Sequence, residues 1–277
     1  MAPHKHFEAL LLAAALGLGL GLGFFAPAAH AGRSCEARKP TTPSVERGLQ
    51  LAEKTLASLN ASGERVVLLA RAGQDLTKYS LRYSHLGLAW RVPDAQGGST
   101  WHVLHKLNTC GSAESAIYRQ GLGEFFLDDP WRFEAAWLAP TPPVQAQLLE
   151  LLQDTRRALR LHHKPYSLVS YAWGRTYQQS NQWAIETLAA AVERGVTSRA
   201  QAQAWLQFKG YEPAALRIGP LSRMGGRLGA ANIAFDDHPN DKRFADRIET
   251  VTADSVLAWL QRAQLSAPGR SPTVVGL

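Results

Sequence analysis

The sequence predicts an α+β fold in which an antiparallel sheet packs against helices. Three observations carry this expectation. Short apolar runs bounded by turn residues fill the first half of the mature chain, and helical periodicities dominate the second. No repeat or low-complexity linker divides the two halves, so a single domain is the simplest organisation for 277 residues of ordinary globular composition.

Residues 1–31 stand apart from that domain. His4, Lys5 and His6 precede an apolar run from Ala9 to Phe25, and Ala29-His30-Ala31 supplies a small-x-small cleavage site. This is the pattern of a secretory signal peptide, with a mature chain starting at Gly32. A membrane anchor is the alternative, but the run is rich in Gly and Ala and ends at a cleavable site. The expected organisation is a leader at 1–31, one domain at 32–265 and a disordered tail at 266–277, in a periplasmic or secreted protein.

Export changes how the two cysteines read. An even count in an oxidising compartment makes a Cys35–Cys110 disulfide the leading interpretation, contributing about 4 kcal/mol if unstrained. The rival reading takes Cys110 as a free nucleophile. The net charge of +7 survives cleavage, because the leader removes one Lys and one Glu. Basic residues are scattered singly, with no aromatic-interleaved strip, which argues against nucleic acid as a partner. A basic exported surface suits acidic envelope polymers or anionic lipid headgroups better.

Each element follows from its local pattern. Ser44 to Asn60 carries a loose helical stripe (Val45, Leu49, Leu51, Leu56, Leu59), stopped by Asn60-Ala-Ser-Gly63. Arg65 to Arg71 is a continuous apolar run, best read as a buried strand. Lys78 to Trp90 reads as a second strand, with His85, Gly87 and Ala89 on one face and Leu86, Leu88 and Trp90 on the other. After the Asp-Ala-Gln-Gly-Gly-Ser loop, Trp101 to Leu107 forms a third strand that places His105 with Trp101 and Val103. A hairpin closing about Ala95 sets residues whose numbers sum to 190 opposite one another, so that His85 faces His105.

Residues 108–123 look irregular or weakly helical, and Trp131 to Leu138 forms another strand. Pro143 opens a helix to about His163. Tyr166 to Trp173 is ambiguous between strand and irregular chain. Helices follow at Ser180 to Arg194, Ser198 to Lys209 and Ala253 to Gln264, with a Gly- and Arg-rich stretch from Pro213 to Asn232 between the last two.

The candidate chemistry centres on His85, His105 and Ser180. Two imidazoles on adjacent strands, beside small residues, can orient one another's tautomers, although each alone is as readily a hydrogen-bonded core histidine. Ser180 opens a helix, where unpaired N–H groups stabilise an oxyanion. The plainer reading of Ser180 is an N-cap, though Trp183 stands where a capping box wants Glu or Gln. Asp236, Asp237, His238, Asp241 and Asp246 match no metal-site spacing and read as solvated turns. Gly225-Gly226-Arg-Leu-Gly229 matches no phosphate-binding fingerprint. No cofactor or metal is expected.

Arg71-Ala-Gly-Gln-Asp-Leu-Thr-Lys-Tyr, Leu-Arg-Tyr-Ser-His85-Leu-Gly and Tyr-Gln-Gln-Ser-Asn-Gln-Trp183 resemble the exported bacterial family labelled domain of unknown function 2145, from about Cys35 to Gln264. Ser-His85-Leu-Gly followed by Trp101-His-Val-Leu-His105 is more distantly similar to the circularly permuted, NlpC-type branch of papain-like proteins, which includes lecithin–retinol acyltransferase-like members. That resemblance implies a papain-like antiparallel sheet, His85 as general base, His105 as its orienting partner and a nucleophile at Ser180. Members of that clan use cysteine where this chain has serine. A serine requires proton removal during attack rather than a resting ion pair. The implied function is a periplasmic hydrolase or acyltransferase acting on envelope amide or ester bonds, with peptidoglycan peptide or lipid as partner. The alternative is a non-catalytic envelope-binding protein on the same scaffold.

Overall fold

A six-stranded antiparallel sheet with helices against both faces organises the chain. The computed structural model describes residues 40–94, 98–128 and 130–277. The described residues form one compact unit, while the expected leader and Cys35 lie outside them. In chain order the elements are α1 (Thr42–Ser62), β1 (Val66–Arg71), a 3-10 turn (Thr77–Tyr79), β2 (His85–Pro93), β3 (Ser99–Asn108), β4 (Ser115–Gly121), α2 (Leu122–Leu127) and β5 (Glu134–Leu138). Then come α3 (Pro142–Gln153), α4 (Thr155–Leu159), α5 (Ser180–Val192), α6 (Arg199–Phe208), β6 (Ala214–Arg217), α7 (Pro220–Gly229), α8 (Asn240–Phe244), β7 (Arg247–Thr250), α9 (Ala253–Arg262) and β8 (Thr273–Gly276).

The strand order is β4-β3-β2-β1-β5-β8. Every residue of β1 is buried, which is why that strand reads as an unbroken apolar run rather than an alternation. Its side chains divide between two cores. Leu68 and Ala70, with Leu86, Leu88 and Trp90 of β2, pack beneath Leu148 and Leu152 of α3, Trp183 and Leu188 of α5, and Val256 and Leu260 of α9. Val67 and Leu69, with Ala89 and Val103, pack beneath Leu51 and Leu59 of α1 and Phe125 and Phe126 of α2. The sheet is therefore a partition, and the parity of each strand residue decides which side it serves.

Several expectations change. Residues 108–123 contain an ordered edge strand, β4, followed by α2; most of β4 is only half-buried, so burial imposes no clean alternation on its sequence. The helix expected from Pro143 to His163 breaks at Asp154, whose carboxylate accepts from Arg156 N and Arg157 N and starts α4 afresh. The second strand begins only at His85. Tyr166 to Trp173 is irregular rather than a strand. The Gly- and Arg-rich stretch forms β6 and α7, and β6 pairs with β7 in a small second sheet. The tail expected to be disordered instead contributes β8, paired with β5 from Glu134↔Gly276 to Trp137↔Thr273.

The β2–β3 hairpin keeps its predicted partners but shifts its register. Leu88 lies opposite Leu104 and Ala89 opposite Val103, so paired numbers sum to 192 rather than 190. Because the shift is an even number, no side chain changes face. His85 and His105 become diagonal neighbours, with Gly87 between them. A Cβ on Gly87 would sit 2.5 Å from Val103 Cγ1, 3.3 Å from Phe125 Cε2 and 3.5 Å from His105 Cβ, so this position requires the missing side chain.

Candidate functional site

The histidine pair assembles as the strand alternation predicts. His85 Nε2 lies 2.8 Å from His105 Nδ1, and His105 Nε2 lies 2.7 Å from Gln120 Oε1 on β4. Gln120 Oε1 can only accept, so His105 Nε2 carries its proton and His105 Nδ1 accepts from His85 Nε2–H. That chain of tautomers leaves His85 Nδ1 as a lone-pair acceptor. The rings meet edge to face with centroids 5.1 Å apart. Phe125 stands against both, 5.9 Å from the His85 ring and 5.2 Å from the His105 ring.

Arg71 joins them on this face, since it is the register partner of His85. Its guanidinium lies over the Phe125 ring at 4.7 Å, donates to Phe125 O and pairs with Asp128. Burial, then the Arg71 charge, holds the His85 imidazolium well below its ordinary range and lowers His105 to about 4. Both rings are neutral near pH 7. Arg71, Gln120, Phe125 and Asp128 are thus the neighbours that define the site, and the sequence signals none of them except by strand parity for Arg71.

Ser180 is on the other side of the sheet. Helix α5 packs on the face of Leu86, Leu88 and Leu104, and its Trp183, Ala184, Ile185 and Leu188 belong to that core. The Ser180 hydroxyl lies 3.4 Å from Tyr166 OH, and Tyr166 neighbours Lys106, whose Nζ is 5.9 Å from that ring. Lys106 follows His105 in β3 and therefore points to the opposite face. The structure brings His85 and His105 together and does not bring Ser180 to them. Nor is Ser180 the cap: Gln179 takes the N-cap position, with its Oε1 accepting from Asn181 N at 2.9 Å.

The polar start of α5 has a structural explanation. Gln182 Nε2 donates to the Tyr171 and Ala172 carbonyls at 3.1 Å each, and its Oε1 accepts from Ser170 Oγ at 2.8 Å. Gln179 Nε2 donates to Val251 O, and Asn181 Nδ2 donates to Ser84 O at 3.3 Å. These amides supply the backbone partners that the irregular segment 166–178 and the start of β2 lack.

A second buried network lies beside them. Lys106 Nζ donates to His163 O at 2.7 Å and to Gln178 Oε1 at 2.8 Å. Gln178 Nε2 reaches Glu186 Oε2 at 2.5 Å, and Glu186 also holds Arg199 at 2.9 Å and Gln203 at 2.8 Å. Burial and the nearby Arg199 lower Lys106 to about 6. A neutral amine has two N–H groups, matching the two acceptors.

No group of three or more His, Cys, Asp or Glu side chains among the described residues is arranged to hold a metal ion. No helix among them is long and apolar enough to cross a membrane. Cys110 is not free; its expected partner Cys35 falls outside the described residues. Two concave surfaces lie elsewhere. One of about 240 Å³ is lined by Trp90, Arg91, His102, Arg119 and Leu152. The other, of about 470 Å³, is flanked by α7 and α8. Neither includes His85, His105 or Ser180.

The chain is thus an α+β protein whose antiparallel sheet is covered on both faces and buries a neutral histidine pair on one of them. A family model described as an uncharacterized protein conserved in bacteria (DUF2145) matches residues 58–260, well over half of the sequence, and the chain belongs to that family. No curated protein and no solved structure matches it.

Proposed function

We propose that this chain is a non-catalytic binding protein of the bacterial envelope, and that His85 and His105 tie β2 and β3 to α2 rather than activate a nucleophile. One observation carries the reading: the Ser180 hydroxyl is bonded to Tyr166 on the sheet face opposite His85. A general base must reach the proton it removes directly or through one water, and here His85 Nε2 is bonded to His105 while the Ser180 hydroxyl is bonded to Tyr166. The depressed histidine pKa values support the same reading, because a base far below the working pH abstracts protons poorly. Placement in the envelope, with peptidoglycan peptide or lipid as partner, rests on the leader-like residues 1–31.

The hydrolase or acyltransferase reading keeps one supporting observation, the tautomer chain that leaves His85 Nδ1 as an acceptor. Kinship with permuted NlpC-type papain-like proteins is likewise part of the proposal. Its support is the placement of His85 and His105 on adjacent antiparallel strands. A serine-directed fluorophosphonate separates the readings. No adduct on Ser180 is expected, in the parent protein or in His85→Ala. An adduct on Ser180 that disappears in His85→Ala would establish the enzyme and overturn the binding proposal.

A further inference from the structure

Helix α7 is mounted with its apolar side outward. Gly226 faces the body of the protein, where a Cβ would lie 3.2 Å from Ile233 Cγ2 and 3.8 Å from Phe235 Cε2. On the opposite side of the helix, Leu221, Met224 and Leu228 form a single stripe at helical spacing and are 79%, 55% and 63% exposed. Phe244 of α8, 71% exposed, lines the same cleft as Met224 and Leu228. Isolated apolar side chains on a surface need no explanation, but Met224, Leu228 and Phe244 lining one groove, with Leu221 on the same helix stripe, do.

Charge identifies what covers them. Arg223, Arg227 and Arg243 line the groove, and no acidic residue does. Arg223 is held by Asp246 at 2.6 Å. Arg243 donates to Asn240 at 2.6 Å and to Phe235 O at 3.4 Å, while its buried Nε finds no partner. Arg227 is exposed and makes no ion pair or hydrogen bond among the described residues. An apolar stripe edged by arginines, on a chain of net charge +7, has the chemistry of a helix lying in a bilayer interface. The side chains enter the acyl boundary while the guanidinium groups meet phosphate headgroups. We propose that the α7–α8 face docks this protein onto the surface of an anionic lipid bilayer. The inference is independent of the histidine pair and of whether Ser180 is reactive.

The test uses the expected mature chain, from Gly32 onward. Cosedimentation is measured with phosphatidylglycerol vesicles and with phosphatidylcholine vesicles at about 0.1 M salt. Binding to the anionic vesicles is expected, with little to the zwitterionic ones. Leu221→Ser, Met224→Ser and Leu228→Ser combined should abolish it. Arg227→Glu should weaken it roughly twenty-five-fold, two units of charge at about fivefold each. Thermal melts of the variants should match the parent, since all four positions are exposed. No binding to phosphatidylglycerol vesicles, equal binding to both lipids, or binding unchanged in the triple variant would each overturn the proposal. Self-association that the triple variant removes, with vesicles left empty, would assign the face to a second protein surface and overturn it equally.

Discussion

Lys106→Met tests whether the amine buried beside α5 is neutral in the folded protein. Its folded pKa is lowered from 10.5 to about 6. Between those values the unfolded chain binds a proton that the folded chain does not. Stability then rises with pH, at up to about 1.4 kcal/mol per unit for one group. Below about 6 both states are protonated and the contribution is flat; above 10.5 both are neutral and the full stability is present. From pH 7 to pH 9 the lysine protein should therefore gain about 3 kcal/mol relative to Lys106→Met. Taking the difference between the two proteins removes every titration they share. Urea unfolding at pH 7, 8 and 9 measures it, provided the slope with denaturant stays constant. Parallel stability curves would refute the reasoning, because they would mean that Lys106 holds its proton inside the fold. The absolute cost of the substitution decides nothing here, since methionine also leaves His163 O and Gln178 Oε1 without their donor.

Two further outcomes follow from the two sides of the sheet. His105 is lowered from 6.5 to about 4, so its contribution is present above pH 6.5 and is lost as pH falls towards 4, where the unfolded chain alone takes the proton. His105→Gln should flatten that acid loss in thermal melts between pH 7 and 4.5, and an unchanged acid limb would show that the ring is not held neutral. At the start of α5, Gln179→Ala should cost about 2 kcal/mol and Ser180→Ala about half as much, because Gln179 supplies the cap and a buried donor. The reverse order in denaturant unfolding would return the cap to Ser180.

The sequence makes the histidine pair legible for a specific reason. Strand alternation has period two, so even a hairpin drawn with the wrong register keeps His85 and His105 on one face. The same logic does not reveal which helix covers that face. Both sides of β1 and β2 are apolar, and nothing in Leu86 or Gly87 records that α5 lies over the first and α2 over the second. Ser180 looks available as a nucleophile because a helix start is visible in the sequence and a sheet between it and His85 is not. Strand β4 is illegible for the opposite reason: as an edge strand it needs little burial, and Tyr118, Arg119 and Gln120 do not alternate. Arg71, by contrast, is a charged residue ending an apolar strand, and its burial beside Phe125 and Asp128 is set by contacts distant in sequence.

The pairing of β8 with β5 has a consequence for how the chain reaches its native state. Residues 273–276 complete the sheet edge opened by residues 134–137, and Leu277 N adds a bond to Phe133 O. Residues up to 276 must emerge before that edge can close, and the contact joins segments with long intervening sequence. Until then β5 presents unsatisfied backbone groups to whatever is nearby. Residues 273–276 thus act as a clasp that closes only after they are synthesised. Trimming them would take Val275 out of the second core and keep one margin of the sheet adhesive.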